Sequence, residues 1–130
     1  ADILTVMGAA GADTLAAVHK VAQERGGDLF IDLRETGNDK IAQISGFTDA
    51  IYGIHHSHDA VAGFDAVATV DDFHERFPAV ERISVAGGID LPTAKRLAKQ
   101  GIAESVIVGS KIIKTADPVA AAKKFMEVIK

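Results

Sequence analysis

Glycine-containing sites at the ends of two apolar runs are the residues of this 130-residue sequence best placed to bind an anion. Gly87-Gly88 follows one run and Gly109-Ser110 follows the next, where a strand would give way to a helix. Glycine lets backbone N–H groups approach an anion closely, and free N–H groups at a helix start favour negative charge. The two sites in tandem predict a phosphate-binding cup within about residues 83–115. The alternative is that these glycines only turn strand into helix.

Three histidines, His55, His56 and His58, lie within four residues at the end of another apolar run. Imidazoles titrate near neutral pH, so a histidine there can serve as an acid, a base or a metal ligand. In an extended segment His56 and His58 share one face, and His55 points the other way. A zinc site made from this cluster alone lacks nearby thiolates or carboxylates at ligand spacing. A solvent-exposed loop with no role is the other alternative.

Asp32 is a carboxylate within an otherwise apolar run, Phe30 to Leu33. Burying an ionised carboxylate without a partner is costly. We therefore expect Asp32 to face a polar site, a cation or a hydrogen-bond donor. The alternative is that it closes the strand end and pairs with a nearby lysine or arginine.

Five short, β-branched apolar runs must position these residues. They begin at residues 3, 29, 50, 83 and 105, which leaves room for one helix after each. Continuous apolar runs suit strands that are buried on both faces, as in parallel sheets. The sequence therefore predicts an α/β fold of five βα units with parallel strands, whose carboxyl ends would gather the candidate site residues.

Helix-capping signals support this interpretation. Asp13-Thr14 is predicted to cap the first helix and Gly26-Gly27 to end it. A later helix is predicted from Leu91 to Gln100, with Pro92 near its start and Gly101 just after its end. A final helix is predicted to begin with Asp117 as its cap and Pro118 in its first turn.

Composition excludes several classes of protein. Residues 1–130 form one domain by length, and a closed eight-unit (β/α) barrel normally needs roughly 200 residues or more. The chain has no cysteine, which removes disulfides and thiolate sites, and its net charge is −4. That negative net charge predicts that the chain binds neither nucleic acid nor an anionic membrane surface. No apolar run approaches a membrane span, and we expect a cytoplasmic protein.

Motifs spread over the whole chain resemble one family of small barrels. The motifs are Ala1 to Val6, Ile31-Asp32-Leu33, Ile54-His55 with Asp59 and Ala62, Gly63-Phe64-Asp65, Val85 to Ile89, Val106 to Gly109, and Ala116-Asp117-Pro118. In this order they resemble 3-hexulose-6-phosphate synthase and its relative 3-keto-L-gulonate-6-phosphate decarboxylase, both of the orotidine-monophosphate-decarboxylase superfamily. The resemblance implies the C-terminal part of a TIM-type (β/α)8 barrel, because residue 1 matches the fourth strand of the family barrel.

The resemblance implies an aldehyde-lyase that joins formaldehyde to ribulose 5-phosphate through a magnesium-stabilised enediolate. Gly87, Gly88, Gly109 and Ser110 would hold the phosphate of this phosphorylated sugar. His55 would be an acid, base or proton relay, and Asp32 would lie near the substrate hydroxyls or the metal.

Two departures qualify what the resemblance implies. The synthases usually carry small or apolar residues where this chain has His56 and His58, and the decarboxylase has an arginine at the position of His58. The family's metal-ligating acids and catalytic aspartate–lysine pair lie in units that precede residue 1, so this chain offers no metal ligands for Mg²⁺. We expect it to act with an N-terminal half or as a homodimer, and to be a poor catalyst alone.

Two interpretations of another class remain open. One is an open, flavodoxin-like sheet that serves as a binding or signalling module, for which Lys111 would suit a phosphoacceptor domain. Such a module would want acidic residues where Gly8 and His55 stand. A dinucleotide fold would want G-x-G-x-x-G after the first strand, which Gly8 to Gly11 does not supply. The other is a non-catalytic fragment retained for its fold.

Overall fold

Strands and helices alternate along the chain in a computed structural model, which describes residues 1–55 and 65–130. The strands are β1 (Ile3–Met7), β2 (Asp28–Asp32), β3 (Ile51–His55), β4 (Arg82–Ala86) and β5 (Ser105–Ile107). The helices are α1 (Ala12–Glu24), α2 (Asn38–Ile44), α3 (Ala66–Arg76), α4 (Leu91–Gln100), α5 (Ser110–Ile113) and α6 (Pro118–Val128). None of the helices in this part of the chain is long and apolar enough to cross a membrane.

The five strands form one parallel sheet in the order β1-β2-β3-β4-β5. The prediction of five parallel βα units is therefore confirmed. A flavodoxin-like sheet has the order 2-1-3-4-5, with a reversal after its first strand. That alternative is wrong, because every strand here pairs with its successor, as consecutive strands of a barrel do.

The two faces of the sheet have different surroundings. Alternate residues point to opposite faces of a strand, and those on one face pack under the helices. Ile31, Ile83 and Val85 on that face are fully buried. On the other face Ile3 and Ile107 are each 50% exposed. The expectation of strands buried on both faces is therefore wrong for the outer strands β1 and β5.

Two clusters of apolar residues hold the helices against the sheet. One joins Leu15 of α1 and Ile41 of α2 to β2 and β3, and the other joins Val70 of α3 and Leu97 of α4 to β4. Burying such a side chain stabilises the fold by about 1.5–3 kcal/mol. The clusters thus fix the positions at which β3, β4 and β5 end.

Aspartate side chains begin several of the helices. Asp90 accepts a hydrogen bond from the N–H of Thr93 at 2.8 Å, and Asp117 accepts one from the N–H of Ala120 at 2.9 Å. The predicted bounds of α4 and the predicted cap of α6 are confirmed. The prediction that Asp13-Thr14 caps α1 is wrong, since α1 already begins at Ala12. Asp13 instead lies in the first turn, where its charge favours the helix dipole.

Arg82 ties the amino ends of the strands together. Its guanidinium donates to Asp28 and to Glu104, each at 2.8 Å, and to the Asp49 carbonyl at 3.0 Å. These hydrogen bonds hold the pKa of the Asp28 carboxyl below its usual range. The network lies at the end of the sheet opposite the candidate site, so its contribution is to the fold.

Candidate functional site

The loops after β4 and β5 form the two walls of one cavity. Gly87 and Gly88 follow β4 with φ angles of 98° and 63°, a left-handed conformation that side chains rarely adopt. Gly109 follows β5 and comes directly before α5. The cavity has a volume of about 220 Å³ and is lined by His55, Ala86, Gly87, Gly88, Ile89, Ile107, Gly109, Ser110 and Lys111. We call it the cup.

The backbone N–H groups at the cup are not committed to the turns around them. None of the turn, loop and capping hydrogen bonds in residues 1–55 and 65–130 uses the N–H of Gly88, Gly109 or Ser110. A Cβ atom at Gly88 or Gly109 would meet no other atom within 4 Å, so both positions border open space. Several N–H groups beside an open cavity can hold an anion.

Lys111 follows Ser110 in the sequence, lines the cup and adds a positive charge to it. Its charge also reaches the start of α4. Hydrogen bonds from Thr93 hold the pKa of the Asp90 carboxyl below its usual range, and the nearby charge of Lys111 lowers that pKa further. A lysine suits a phosphate as a point charge on a flexible stem.

His55 lies at the end of β3, between the cup and a guanidinium. Arg34 Nη2 is 2.7 Å from His55 Nδ1 and 3.3 Å from Nε2. Because Nη2 lies within 3.3 Å of both ring nitrogens, the guanidinium packs against the imidazole ring and does not lie along the lone pair of one nitrogen.

Asp32 shapes the turn that carries Arg34. Its Oδ1 accepts a hydrogen bond from the backbone N–H of Arg34 at 2.9 Å, and Glu35 follows with a φ angle of 57°. The carboxylate thus finds a donor, as expected, and that donor is a backbone group. The alternative is confirmed in one part, since Asp32 closes the end of β2, while the salt bridges among residues 1–55 and 65–130 do not include Asp32.

A wider depression lies beside the cup on the exposed face of the sheet. It has a volume of about 500 Å³, and Asp32 and Arg34 line it. His55, Ala86 and Ile107 line both the depression and the cup. A molecule held in the cup at one end could therefore extend past His55 into the depression.

Residues 1–55 and 65–130 contain no cluster of three histidine, aspartate or glutamate side chains placed to bind one metal ion. Asp32 is the carboxylate that lines the depression, and one of its oxygens already accepts the N–H of Arg34. The described residues do not by themselves fit the Mg²⁺ that the resemblance implies. We therefore derive no chemical step through a metal.

The structure gathers most of the predicted site residues around one cavity. His55 and the four cup residues line the cup, while Asp32 lines the adjoining depression. His56 and His58 lie outside the described residues, as does Asp59. Arg34 lines the site but is missing from the predicted residues, and Lys111 was named only for the phosphoacceptor alternative. Each is a cation shortly after a strand, and that position is the signal that could have indicated it.

Parallel strands in sequential order, each followed by a helix, define this chain as a segment of the (β/α)-barrel type. The family model "Orotidine 5'-phosphate decarboxylase / HUMPS family" matches residues 1–125. The chain therefore belongs to the orotidine 5'-phosphate decarboxylase / HUMPS family.

Two curated relatives are both named 3-hexulose-6-phosphate synthase. The chain is 31% identical to 3-hexulose-6-phosphate synthase of Mycobacterium gastri over 99% of its own length and 62% of the relative. It is 33% identical to the synthase of Methylomonas aminofaciens over 94% of its length and 59% of that relative. The chain thus spans about six tenths of the length of these relatives.

Solved structures agree with this assignment. A 3-hexulose-6-phosphate synthase superposes with a TM-score of 0.82 at 30% identity, over 100% of this chain and 63% of the other. The synthase of Salmonella typhimurium gives a TM-score of 0.83 at 27% identity, over 99% and 62%. The 3-keto-L-gulonate-6-phosphate decarboxylase of Vibrio cholerae gives 0.75 at 26%, over 99% and 61%. The strand order thus recurs in solved enzymes of the family.

Proposed function

We propose that this chain is the phosphate-binding part of a phosphosugar lyase that condenses formaldehyde with ribulose 5-phosphate to give 3-hexulose 6-phosphate. The observation that carries the proposal is the cup after β4 and β5. Its N–H groups and Lys111 suit the phosphate of a sugar ester. The names of the relatives supply the reaction class.

The phosphate in the cup would direct the sugar past His55. In the condensation, a proton leaves C1 of ribulose 5-phosphate and an enediolate forms. The C1 carbon then bonds to the carbonyl carbon of formaldehyde, whose oxygen takes up a proton. His55 lines the cup, and its imidazole would pass a proton to or from the reacting atoms, as a relay requires.

Further protein must complete this site. The acids that bind Mg²⁺ would come from a segment of the whole protein outside the described residues, or from a second subunit of a homodimer. Asp32, which lines the depression and accepts the N–H of Arg34 with Oδ1, would bind substrate hydroxyls through its carboxylate. The proposed location of this enzyme and of its sugar phosphate substrate is the cytoplasm.

A second candidate function is the decarboxylation of 3-keto-L-gulonate 6-phosphate. It is favoured by the similarity to the Vibrio cholerae decarboxylase. The chain is 26% identical to that decarboxylase and 27% identical to the Salmonella typhimurium synthase. Both reactions pass through an enediolate on a phosphorylated sugar. The cup serves either one equally.

A calorimetric titration with ribulose 5-phosphate and with ribulose tests the proposed function. We expect the phosphate ester to bind at least about 100-fold more tightly, because charge-assisted hydrogen bonds to the phosphate supply about 1.5–3 kcal/mol each. Glucose 6-phosphate checks whether any phosphorylated sugar of similar size binds. Equal affinities for ribulose and its phosphate ester would contradict the proposal.

A further inference from the structure

Arg34 is a charged residue of the site that the cup and the proposed proton relay leave without a substrate role. It follows β2, and its guanidinium reaches across to His55 at the end of β3. It also lines the depression that continues from the cup. A cation at this point meets whichever end of a bound phosphosugar is remote from the phosphate.

We propose that Arg34 is a specificity-determining residue that binds an anionic oxygen at the end of the substrate remote from its phosphate. The ligand class is a short phosphosugar or phosphosugar acid whose far end carries an enediolate or carboxylate oxygen. This inference rests on the proposed function, because the phosphate in the cup directs the other end of the molecule toward Arg34.

The turn around Arg34 holds the residue in place before any ligand arrives. The backbone N–H of Arg34 donates to Asp32 at 2.9 Å, and its carbonyl accepts from the Thr36 hydroxyl at 3.2 Å. Glu35 completes the turn in a left-handed conformation. Arg34 itself is exposed. Restraining the backbone of an exposed arginine in this way lowers the entropy lost when its side chain binds a ligand.

The spacing between the guanidinium and the cup suits a short sugar chain. The guanidinium lies at the end of β3, beside His55, and the cup lies between the ends of β4 and β5. Neighbouring strands are about 4.8 Å apart, so one and a half spacings separate the two features by roughly 7 Å. A phosphorylated chain of four or five carbons bridges such a gap.

The bond to His55 is compatible with ligand binding by the same side chain. A guanidinium carries five N–H donors in a planar fork, and the contact with His55 Nδ1 runs through Nη2. The fork matches a planar, anionic pair of oxygens, which both a carboxylate and an enediolate present. The arrangement thus places the anion next to the imidazole that would exchange a proton with it.

Two ligands that differ only at the far end test the proposal by calorimetry: 4-phosphoerythronate, with a carboxylate, and erythritol 4-phosphate, with a neutral alcohol. We expect the chain to prefer 4-phosphoerythronate by about tenfold, since a charge-assisted hydrogen bond is worth that factor or more. Arg34→Met should remove the preference and keep the affinity for erythritol 4-phosphate within about twofold. Arg34→Gln, which keeps a polar side chain, should behave likewise.

Arg76→Met is the matched control, because Arg76 pairs with Asp72 on the surface of α3 and its loss changes the net charge equally. That variant should keep the tenfold preference. Equal affinities of the unaltered chain for both ligands, or a preference that survives in both Arg34 variants, would overturn the assignment of Arg34 while leaving the cup intact. Binding of neither ligand would overturn the proposed function itself.

Discussion

Replacing Gly109 with aspartate is expected to weaken the binding of ribulose 5-phosphate by at least about 100-fold. The added carboxylate would stand beside the phosphate, and two like charges about 4 Å apart repel by roughly 4 kcal/mol near a protein surface. A Cβ atom at Gly109 meets no other atom within 4 Å, so the fold should accept the side chain. Calorimetry with the variant measures the loss directly.

Two variants separate the charge from other effects of the substitution. Gly109→Asn has nearly the same size without the charge, and its affinity should fall by less than about tenfold. Gly46→Asp adds the same carboxylate where a Cβ atom also meets open space, between α2 and β3 at the opposite end of the sheet. That variant should bind normally. If the Gly109→Asp variant binds ribulose 5-phosphate as tightly as the Gly46→Asp variant does, the result would contradict phosphate binding in the cup.

Tyr52→Ala is expected to lower the free energy of unfolding by about 3–5 kcal/mol, a large part of the stability of a small domain. Tyr52 of β3 is fully buried. Its hydroxyl donates to the carbonyl of Ile44, the last residue of α2, and to that of Phe47, which lies between α2 and β3. Tyr52→Phe keeps the ring and loses only these hydrogen bonds, so it should cost about 1–3 kcal/mol. Urea unfolding of both variants gives the two values, and equal losses would contradict this division.

The same residue predicts how stability depends on alkaline pH. Burial raises the pKa of Tyr52 to about 12, above its ordinary value of 10.0. Between these two values the unfolded chain loses the phenol proton and the folded chain keeps it, so stability falls as pH rises through this range. Tyr52 is the one tyrosine of the sequence, so the absorbance of tyrosinate reports its titration alone. A midpoint near 10 in the folded chain would contradict the burial of the hydroxyl.

The strands and their direction follow from local patterns in the sequence. Apolar runs at regular spacing predict parallel βα units, and Asp117-Pro118 predicts the start of α6, because these signals act within one turn of the chain. The strand order needs more information than local patterns hold. The resemblance to a family barrel favoured sequential order, whereas the runs alone allowed an open sheet as well.

The cup was predictable because each half of it is a short motif at the end of one strand. The contact between Arg34 and His55 was not, since 21 residues separate them and it depends on the register of β2 against β3. The partial exposure of β1 and β5 also escaped prediction, because an apolar run has the same composition whether one or both faces are covered. The caps show a similar limit, since α1 begins at Ala12 without a capping side chain.

A titration of the ¹⁵N-labelled chain with ribulose 5-phosphate, followed by the amide signals in NMR spectra, shows whether the loops after β4 and β5 bind the phosphate. If the loops after β4 and β5 hold one phosphate, the amides of Gly88, Gly109 and Ser110 will shift together and saturate with a common Kd. Shifts confined to other parts of the chain, or no shifts at millimolar ligand, would show that these loops do not bind the phosphate.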